Sequence, residues 1–219
     1  MQKTDISGFI LAGGKSSRFG QDKVFLPWNR GTLLDHATDR LSQVCAAVQI
    51  CSSRELRSQA TDNKTLPAIP DALPNAGPLA GIVSALENSP TEWNFFLAVD
   101  LPLVPINLLQ ALVLHLQNDQ NLALVPQLDG MPQPLCALYH RSLAPGLRRA
   151  LEGGKYKIML AVREALQGIE NSAHPSRLQL FNVRDCVSKT ASNLSPEEWL
   201  LNINTPAEWQ KARELNSHL

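Results

Sequence analysis

The sequence predicts a three-layer α/β/α domain, with a mostly parallel sheet between helices and a β-hairpin inserted in its later part. Short apolar runs alternate with helical patterns almost from end to end, which is the rhythm of βαβ units. The first apolar run, Ile6–Leu11, leads directly into glycines, as a buried strand leads into a loop. Between residues 123 and 139, two β-like runs flank Asp129 and Gly130, a dipeptide typical of hairpin turns.

The strands are expected where compact apolar runs lie between turn residues. Each run is short enough for a strand, and the helical patterns between them supply the crossovers of a parallel sheet. The expected strands are Ile6–Leu11, Ala47–Cys51, 66–69, 94–99, 122–125, 178–183 and 200–203.

The helices are expected where apolar residues recur at helical spacing behind a capping residue. Thr32, with Asp35 three residues later, forms a capping pair. Pro78 occupies the first position of its helix, and Thr205 is the N-cap of the last helix with Glu208 at the third position. The expected helices are 33–44, 78–86, 105–116, 142–151, 158–166 and one that begins at Pro206.

Length and charge narrow the class of protein. The chain has 219 residues and a mass of 24.0 kDa, and its 20 Lys and Arg balance its 20 Asp and Glu. We expect one domain spanning residues 1–219. A neutral chain lacks the excess of cations that a large nucleic-acid footprint requires, so no nucleic-acid partner is expected.

The hydrophobic pattern and the cysteines suggest an intracellular location. No apolar run approaches the ~18 residues of a membrane span, and the start lacks the pattern of a signal peptide. The four cysteines contain no C-x-x-C pair, so we expect buried free thiols in a reducing compartment. We therefore expect a cytoplasmic protein without a membrane partner.

The most informative stretch is the glycine loop of residues 11–23, directly after the first strand. Open α/β sheets bind ligands at this edge. Gly13 and Gly14 let backbone N–H groups approach phosphate oxygens, and Arg18 and Lys23 supply two cations. The spacing matches neither G-x-x-x-x-G-K-[ST] nor G-x-G-x-x-G. The alternative is an exposed surface loop whose charges face water.

A second candidate site surrounds the start of the helix at Pro78. Gly77 and Gly81 leave bare backbone on which a planar base can rest, and Asp71 can accept hydrogen bonds from a base or a ribose. The alternative is a rigid loop that only starts a helix.

A third candidate is Asp100, which begins the run Asp-Leu-Pro after the strand expected at 94–99. A carboxylate at the carboxyl edge of the sheet suits Mg²⁺, which uses one or two protein carboxylates and takes its other oxygens from phosphates and water. The alternative is that Asp100 caps the helix near Pro105. Further on, Asn202 and Asn204 share one face and can reach a phosphate or a metal-bound water, or serve only the turn into the last helix.

Together these motifs resemble the molybdenum cofactor guanylyltransferase family of nucleotidyltransferases, and the resemblance spans about residues 6–209. It implies a Rossmann-like nucleotidyltransferase fold and transfer of GMP from GTP to the terminal phosphate of molybdenum-bound molybdopterin, with release of pyrophosphate. Mg²⁺ is the implied cofactor. Molybdoenzymes or molybdenum-insertion proteins are further partners that the resemblance suggests, and we expect a monomer.

The resemblance also implies roles for individual residues. Gly14 and Arg18 hold the β and γ phosphates, Lys23 bridges the α phosphate, and Asp100 binds the metal, so Lys23, Arg18 and Asp100 are the expected catalytic residues. Ser53 stands where the family often carries an asparagine. The implied nucleotide-binding residues are Leu11, Ala12, Gly13, Gly14, Lys23, Ser53, Asp71, Gly77, Pro78, Leu79 and Asp100.

On the acceptor side, the resemblance suggests Asn202 and Asn204. Gln133 and Lys157 lie in segments that face the pterin in this family, and neither receives a role from the sequence. Two alternatives stay open. One is a cytidylyltransferase acting on molybdopterin or on a sugar or polyol phosphate, although a second glycine after Leu11-Ala12 leaves room for a purine. The other is a non-catalytic nucleotide or molybdopterin carrier.

Overall fold

The computed structural model describes residues 6–13, 22–52, 67–74, 76–117, 121–169, 178–189 and 192–217. The strands are β1 (Ile6–Leu11), β2 (Pro27–Trp28), β3 (Gly31–Thr32), β4 (Ala47–Cys51), β5 (Ala68–Ile69), β6 (Trp93–Ala98), β7 (Ala123–Leu128), β8 (Met131–Pro132), β9 (Cys136–His140) and β10 (Leu178–Asn182). The α-helices are α1 (Leu33–Ser42), α2 (Pro78–Asn88), α3 (Ile106–Leu114), α4 (Ala144–Glu152), α5 (Ile158–Gln167), α6 (Pro196–Trp199) and α7 (Pro206–Asn216).

Eight of the described strands form one sheet, in the order β10-β7-β9-β6-β1-β4-β5, with β8 paired to β7. The pairs β6–β1, β1–β4, β4–β5 and β7–β10 are parallel, and β9 runs antiparallel to both of its neighbours. The result is a mostly parallel sheet between helices, which confirms the predicted fold class. The predicted hairpin is also confirmed, since β7 and β8 pair antiparallel across Asp129 and Gly130.

The centre of the sheet supplies the core. Every residue of β1 and of β6 is buried, because both strands have neighbours on each side and are covered on both faces. Phe9 and Phe96, which face each other in register, stack with ring centroids 5.3 Å apart. The four cysteines, all within the described residues, are buried and form no disulfide, as expected. No described helix has the length and apolar character that crossing a membrane requires.

The predicted caps are present at both helices that carry them. Thr32 accepts a hydrogen bond from the Asp35 N–H, and the Asp35 side chain accepts one from the Thr32 N–H, so α1 starts with a full capping box. Thr205 accepts from the Glu208 N–H at the start of α7. Each cap satisfies backbone donors that the first helical turn leaves open.

The strand predicted at 200–203 is wrong. Leu200 ends the turn that follows α6, and the next residues form an extended segment outside any strand ladder. A 2.9 Å hydrogen bond from the Ile203 N–H to the Asp100 carbonyl oxygen joins the backbone of this segment to the edge of the sheet. Ile203 is fully buried, so the alternating pattern that resembled a strand reflects a segment fastened across the end of β6.

Candidate active site

Four neighbouring parallel strands, β6, β1, β4 and β5, end at the same edge of the sheet. The predicted site residues follow them directly: Gly13 comes after β1, Asp71 after β5 and Asp100 after β6. The strand order therefore gathers motifs that are far apart in the sequence. This is the edge at which open α/β sheets bind ligands.

Backbone hydrogen bonds join the loops at this edge. The Ala12 N–H donates to the Cys51 carbonyl oxygen over 3.3 Å, and the Ser52 N–H donates to the Ile69 carbonyl oxygen over 3.0 Å. On the other side of β1, Val99 donates to Leu11 over 3.2 Å. These hydrogen bonds tie the start of each loop to the backbone of a neighbouring strand or loop. The side chains that follow at this edge are therefore held in fixed positions.

Lys23 and Asp100 form an ion pair at this edge. The Lys23 Nζ lies 2.6 Å from the Asp100 Oδ2, and the two side chains are 12% and 13% exposed. Lys23 starts the 3₁₀ turn Lys23–Phe25, and Asp100 follows β6. The structure thus brings together the two residues to which the family resemblance gives roles at the α phosphate and at the metal.

The second oxygen of Asp100 has a different environment. Within the part of the chain that the structure describes, its Oδ1 is buried and has no hydrogen-bond partner. An unpaired buried carboxylate oxygen is costly unless a ligand satisfies it. Helix α3 has Pro105 as its N-cap and no side-chain cap, so the alternative role of Asp100 as a helix cap is wrong.

This donor set fits Mg²⁺. The ion is hard, prefers oxygen ligands and commonly uses one or two protein carboxylates with substrate phosphates. Asp100 can offer Oδ1 to a cation while Oδ2 stays on Lys23. A cation on Oδ1 and the Lys23 ammonium would then share one carboxylate.

The residues Gly13, Asp71 and Gly81 lie close together at the sheet edge and are called the glycine crevice. A Cβ on Gly13 would lie 3.9 Å from the Asp71 Oδ2, and a Cβ on Gly81 would lie 3.2 Å from its Oδ1 and 3.1 Å from the Cys51 Cβ. The Asp71 carboxylate therefore lies close to Gly13, which follows β1, and to Gly81 of α2. Partial burial raises the pKa of Asp71 above its usual range, and burial, helped by Asp71, also raises the pKa of the Cys51 thiol.

Helix α2 enters the site through a backbone conformation that requires glycine. Gly77 is its N-cap with φ = +74°, in the left-handed region that other residues rarely adopt, and Pro78 is its first residue. Leu79 is fully buried, so its side chain packs into the core and offers a ligand no surface.

The remaining predicted nucleotide residues fall into two groups. Leu11 and Ala12 are 6% and 4% exposed, so they are buried at the edge of the sheet. Gly14, Arg18 and Ser53 lie outside the described residues.

A pocket of about 330 Å³ is lined in part by Leu101, the residue that follows Asp100. Pro78 and Leu101 line its side towards the nucleotide edge, while Asn202, Gln133 and Lys157 come from three other segments. These three polar residues were noted from the sequence, but nothing in the sequence predicted that they share a pocket. Sequence reasoning missed the other lining residues, which carry no motif: Pro132, Pro134, Leu135, Tyr156, Ile158 and Met159.

The two asparagines proposed for the acceptor side separate in the structure. Asn202 is half-buried and lines the pocket, whereas Asn204 is exposed and is not among the lining residues. The Asn204 backbone N–H donates to the Glu208 Oε2 over 2.8 Å. Asn204 thus takes part in the start of α7, which was the alternative role considered for it.

A parallel sheet edge with a glycine crevice and a Lys–Asp pair is the arrangement expected of a nucleotidyltransferase. The family model described as the MobA-like NTP transferase domain matches residues 8–168. The chain belongs to this family.

Similarity to individual proteins extends beyond the residues of the family model. A probable molybdenum cofactor guanylyltransferase of Carboxydothermus hydrogenoformans is 31% identical over 209 residues, covering 95% of each chain. One of Bacillus mycoides is 27% identical over 210 residues, covering 95% of this chain and 96% of that protein. The crystal structure of molybdopterin-guanine dinucleotide biosynthesis protein A from Archaeoglobus fulgidus superposes with a TM-score of 0.73 at 24% identity, covering 97% of this chain and 100% of that one.

Proposed function

We propose that this nucleotidyltransferase transfers GMP from GTP to the terminal phosphate of molybdenum-bound molybdopterin, with Mg²⁺ as its metal. The products are molybdopterin guanine dinucleotide and pyrophosphate. The Lys23–Asp100 pair at the carboxyl edge of the parallel strands carries the proposal. The names of the curated relatives support the choice of nucleotide and acceptor.

The reaction is an in-line attack of an acceptor phosphate oxygen on the α-phosphorus of GTP. That oxygen is already ionised at neutral pH, so no residue has to remove a proton from it. The bond from the α-phosphorus to the bridging oxygen breaks, and pyrophosphate leaves with its electron pair. The protein therefore contributes positioning and charge neutralisation.

Lys23 and Asp100 supply most of that contribution among the described residues. The ammonium of Lys23 is held at 2.6 Å from the Asp100 carboxylate, so its position is fixed before substrate arrives. Preorganised charge of this kind stabilises the transition state without reorganisation during the reaction. Mg²⁺ held by Asp100 would add a Lewis acid for the phosphate oxygens.

The crevice supplies the selection of nucleotide. Gly13 is exposed and presents bare backbone beside Asp71, where a purine can rest. Gly81 is buried and packs closely against Cys51, so it lets α2 approach the Asp71 carboxylate. That carboxylate can accept hydrogen bonds from the N1–H and the amino group of guanine. A pyrimidine is smaller and would leave part of this surface uncovered. GTP is therefore the preferred donor.

The pocket supplies the acceptor site. Its lining combines apolar surface with the amides of Asn202 and Gln133 and the cation of Lys157, which suits a pterin that carries a phosphate. Leu101, which follows Asp100 in the chain, is part of the lining. An acceptor phosphate at that end of the pocket would lie next to the α phosphate.

A panel of nucleotides tests the proposal. The protein is incubated with molybdenum-bound molybdopterin, Mg²⁺ and GTP, CTP, ATP or UTP in turn, and the adduct is identified by mass. The expected result is a guanine dinucleotide with one pyrophosphate per adduct, lost when EDTA is present. A cytosine adduct would make the protein a cytidylyltransferase, and binding of GTP without any adduct would favour a carrier.

A pair of lysine variants tests the acceptor pocket separately. Lys157→Ala should raise the KM for molybdopterin about tenfold or more, because a charge-assisted hydrogen bond contributes about 1.5–3 kcal/mol, and leave the affinity for GTP unchanged. Lys155→Ala is the matched control, since Lys155 is two residues away and pairs with Glu164 over 2.8 Å. Equal KM values for the two variants would contradict the assignment of this pocket to the acceptor.

A further inference from the structure

His36 lies on α1 and contacts the loop that carries Asp100. Its Nε2 is 2.9 Å from the carbonyl oxygen of Pro102, two residues after Asp100. A carbonyl oxygen only accepts hydrogen bonds, so Nε2 carries the hydrogen and donates. The imidazole therefore holds the loop at a fixed distance from α1.

The same imidazole contacts the segment that carries Lys23. The ring of Trp28, which is 2% exposed and five residues after Lys23, packs against His36 with centroids 6.0 Å apart and planes tilted by 59°. This is within the range of favourable aromatic pairs. The segment is also tied to the start of α1, where the Leu33 N–H donates to the Leu26 carbonyl oxygen over 3.0 Å.

His36 thus contacts two segments that are far apart in sequence, one that carries Lys23 and one that carries Asp100. We propose that His36 is a positioning residue that sets how the Lys23 ammonium and the Asp100 carboxylate face each other. It thereby sets where the metal and the α phosphate of GTP meet. The inference rests on the proposed function, because it concerns the geometry that serves nucleotidyl transfer.

The ionisation of His36 is consistent with this role. Burial, together with the charge of Arg40, lowers the pKa of His36 to about 4, although Asp39 and the bond to Pro102 act in the opposite direction. The ring is therefore neutral at pH 7, and the bond to Pro102 selects the tautomer with hydrogen on Nε2. A neutral ring brings no additional positive charge to the metal side of the loop.

Three variants separate positioning from simple stability. His36→Leu fills the space but removes the donor, and His36→Gln places an amide N–H close to where Nε2 lies. His115→Leu is the control, since His115 also bonds a backbone carbonyl, that of Ala111 over 2.8 Å, but lies at the end of α3. Each variant is measured for kcat, for the KM of GTP, for Mn²⁺ binding in the presence of GTP by electron paramagnetic resonance, and for Tm.

His36→Leu should lower kcat about tenfold or more, because small misplacements of reacting groups are costly, and should weaken Mn²⁺ binding to a similar extent at temperatures below its Tm. His36→Gln should recover most of both losses, and His115→Leu should match the wild type. A His36→Leu protein with a lower Tm but unchanged kcat and Mn²⁺ binding would overturn the proposal. So would a His36→Gln protein as impaired as His36→Leu.

The wild type separates this inference from the proposed function. Failure of the wild-type protein to bind Mn²⁺ with GTP would refute the proposed function and the inference with it. Normal binding by the wild type and equal binding by His36→Leu would refute only the role of His36. Histidine ¹⁵N NMR of the metal-free protein tests the bond itself, and a His36 tautomer with hydrogen on Nδ1 would also overturn the proposal.

Discussion

The Lys23–Asp100 pair should show a large coupling energy in a double-mutant cycle of Lys23→Met and Asp100→Asn. At the observed 2.6 Å and an effective dielectric constant of about 20, the attraction is about 6 kcal/mol before desolvation is subtracted. Burial of both groups offsets much of it. Removing one partner should lower the free energy of unfolding by about 3 kcal/mol, at the lower end for buried pairs because both side chains keep some exposure.

The double variant should be more stable than the sum of the two single variants predicts. It leaves no buried charge without a partner, so a coupling energy of about 1–3 kcal/mol is expected from urea unfolding. The exposed pair Lys155–Glu164 is the control, since its side chains are 49% and 36% exposed and such pairs contribute about 0–1 kcal/mol. A coupling at Lys23–Asp100 no larger than that of the control would refute the reasoning.

The same cycle predicts the pattern of activity. Each single variant should lower kcat for GMP transfer at least ~100-fold, by comparison with the loss of one transition-state donor. Lys23 and Asp100 act as a unit, so the double variant should be little worse than either single one. Near-normal transfer by either single variant, measured as release of pyrophosphate, would contradict their catalytic assignment.

Three further substitutions probe the crevice and the pocket. Gly81→Ala should destabilise the fold by about 1–3 kcal/mol and raise the KM for GTP, because its Cβ would lie 3.1 Å from the Cys51 Cβ; urea unfolding and initial rates check this. Burial raises the pKa of Asp71, so the wild type loses stability as pH rises through that pKa. Asp71→Asn removes this loss of stability, so the Tm of the variant should exceed that of the wild type by more at pH 7 than at about pH 4. The substitution also removes an acceptor for guanine, so GTP binding should weaken. Tyr139→Phe should lower the free energy of unfolding by about 1–3 kcal/mol and raise the KM for the acceptor, since the Tyr139 hydroxyl donates to the Pro134 carbonyl oxygen over 2.9 Å beside the pocket.

Features with a local cause could be predicted from the sequence. The strand Ile6–Leu11 is a continuous apolar run because both of its faces are covered, and the caps at Thr32 and Thr205 depend on a partner three residues away. The segment 200–203 was mistaken for a strand because alternation reports which side chains are buried and not whether a ladder partner exists. Its partner, the Asp100 carbonyl, is about a hundred residues earlier in the chain.

In the candidate site too, features with a local cause could be predicted from the sequence and contacts between distant segments could not. Asp100 could be recognised because it follows a strong strand pattern, whereas its contact with Lys23 joins two residues that are 77 positions apart in the chain. The pocket joins Gln133, Lys157 and Asn202 from three segments that no local motif connects. His36 gave no signal, since a histidine bonded to a backbone carbonyl looks like any interior histidine until Pro102 and Trp28 are seen beside it.

The most direct test of the account is a crystal soaked with GTP and Mn²⁺, in which anomalous scattering locates the ion. The account predicts a peak bonded to Asp100 and to phosphate oxygens of GTP, with the guanine beside Asp71 and Gly13. A peak away from Asp100, or a guanine bound outside this crevice, would contradict it.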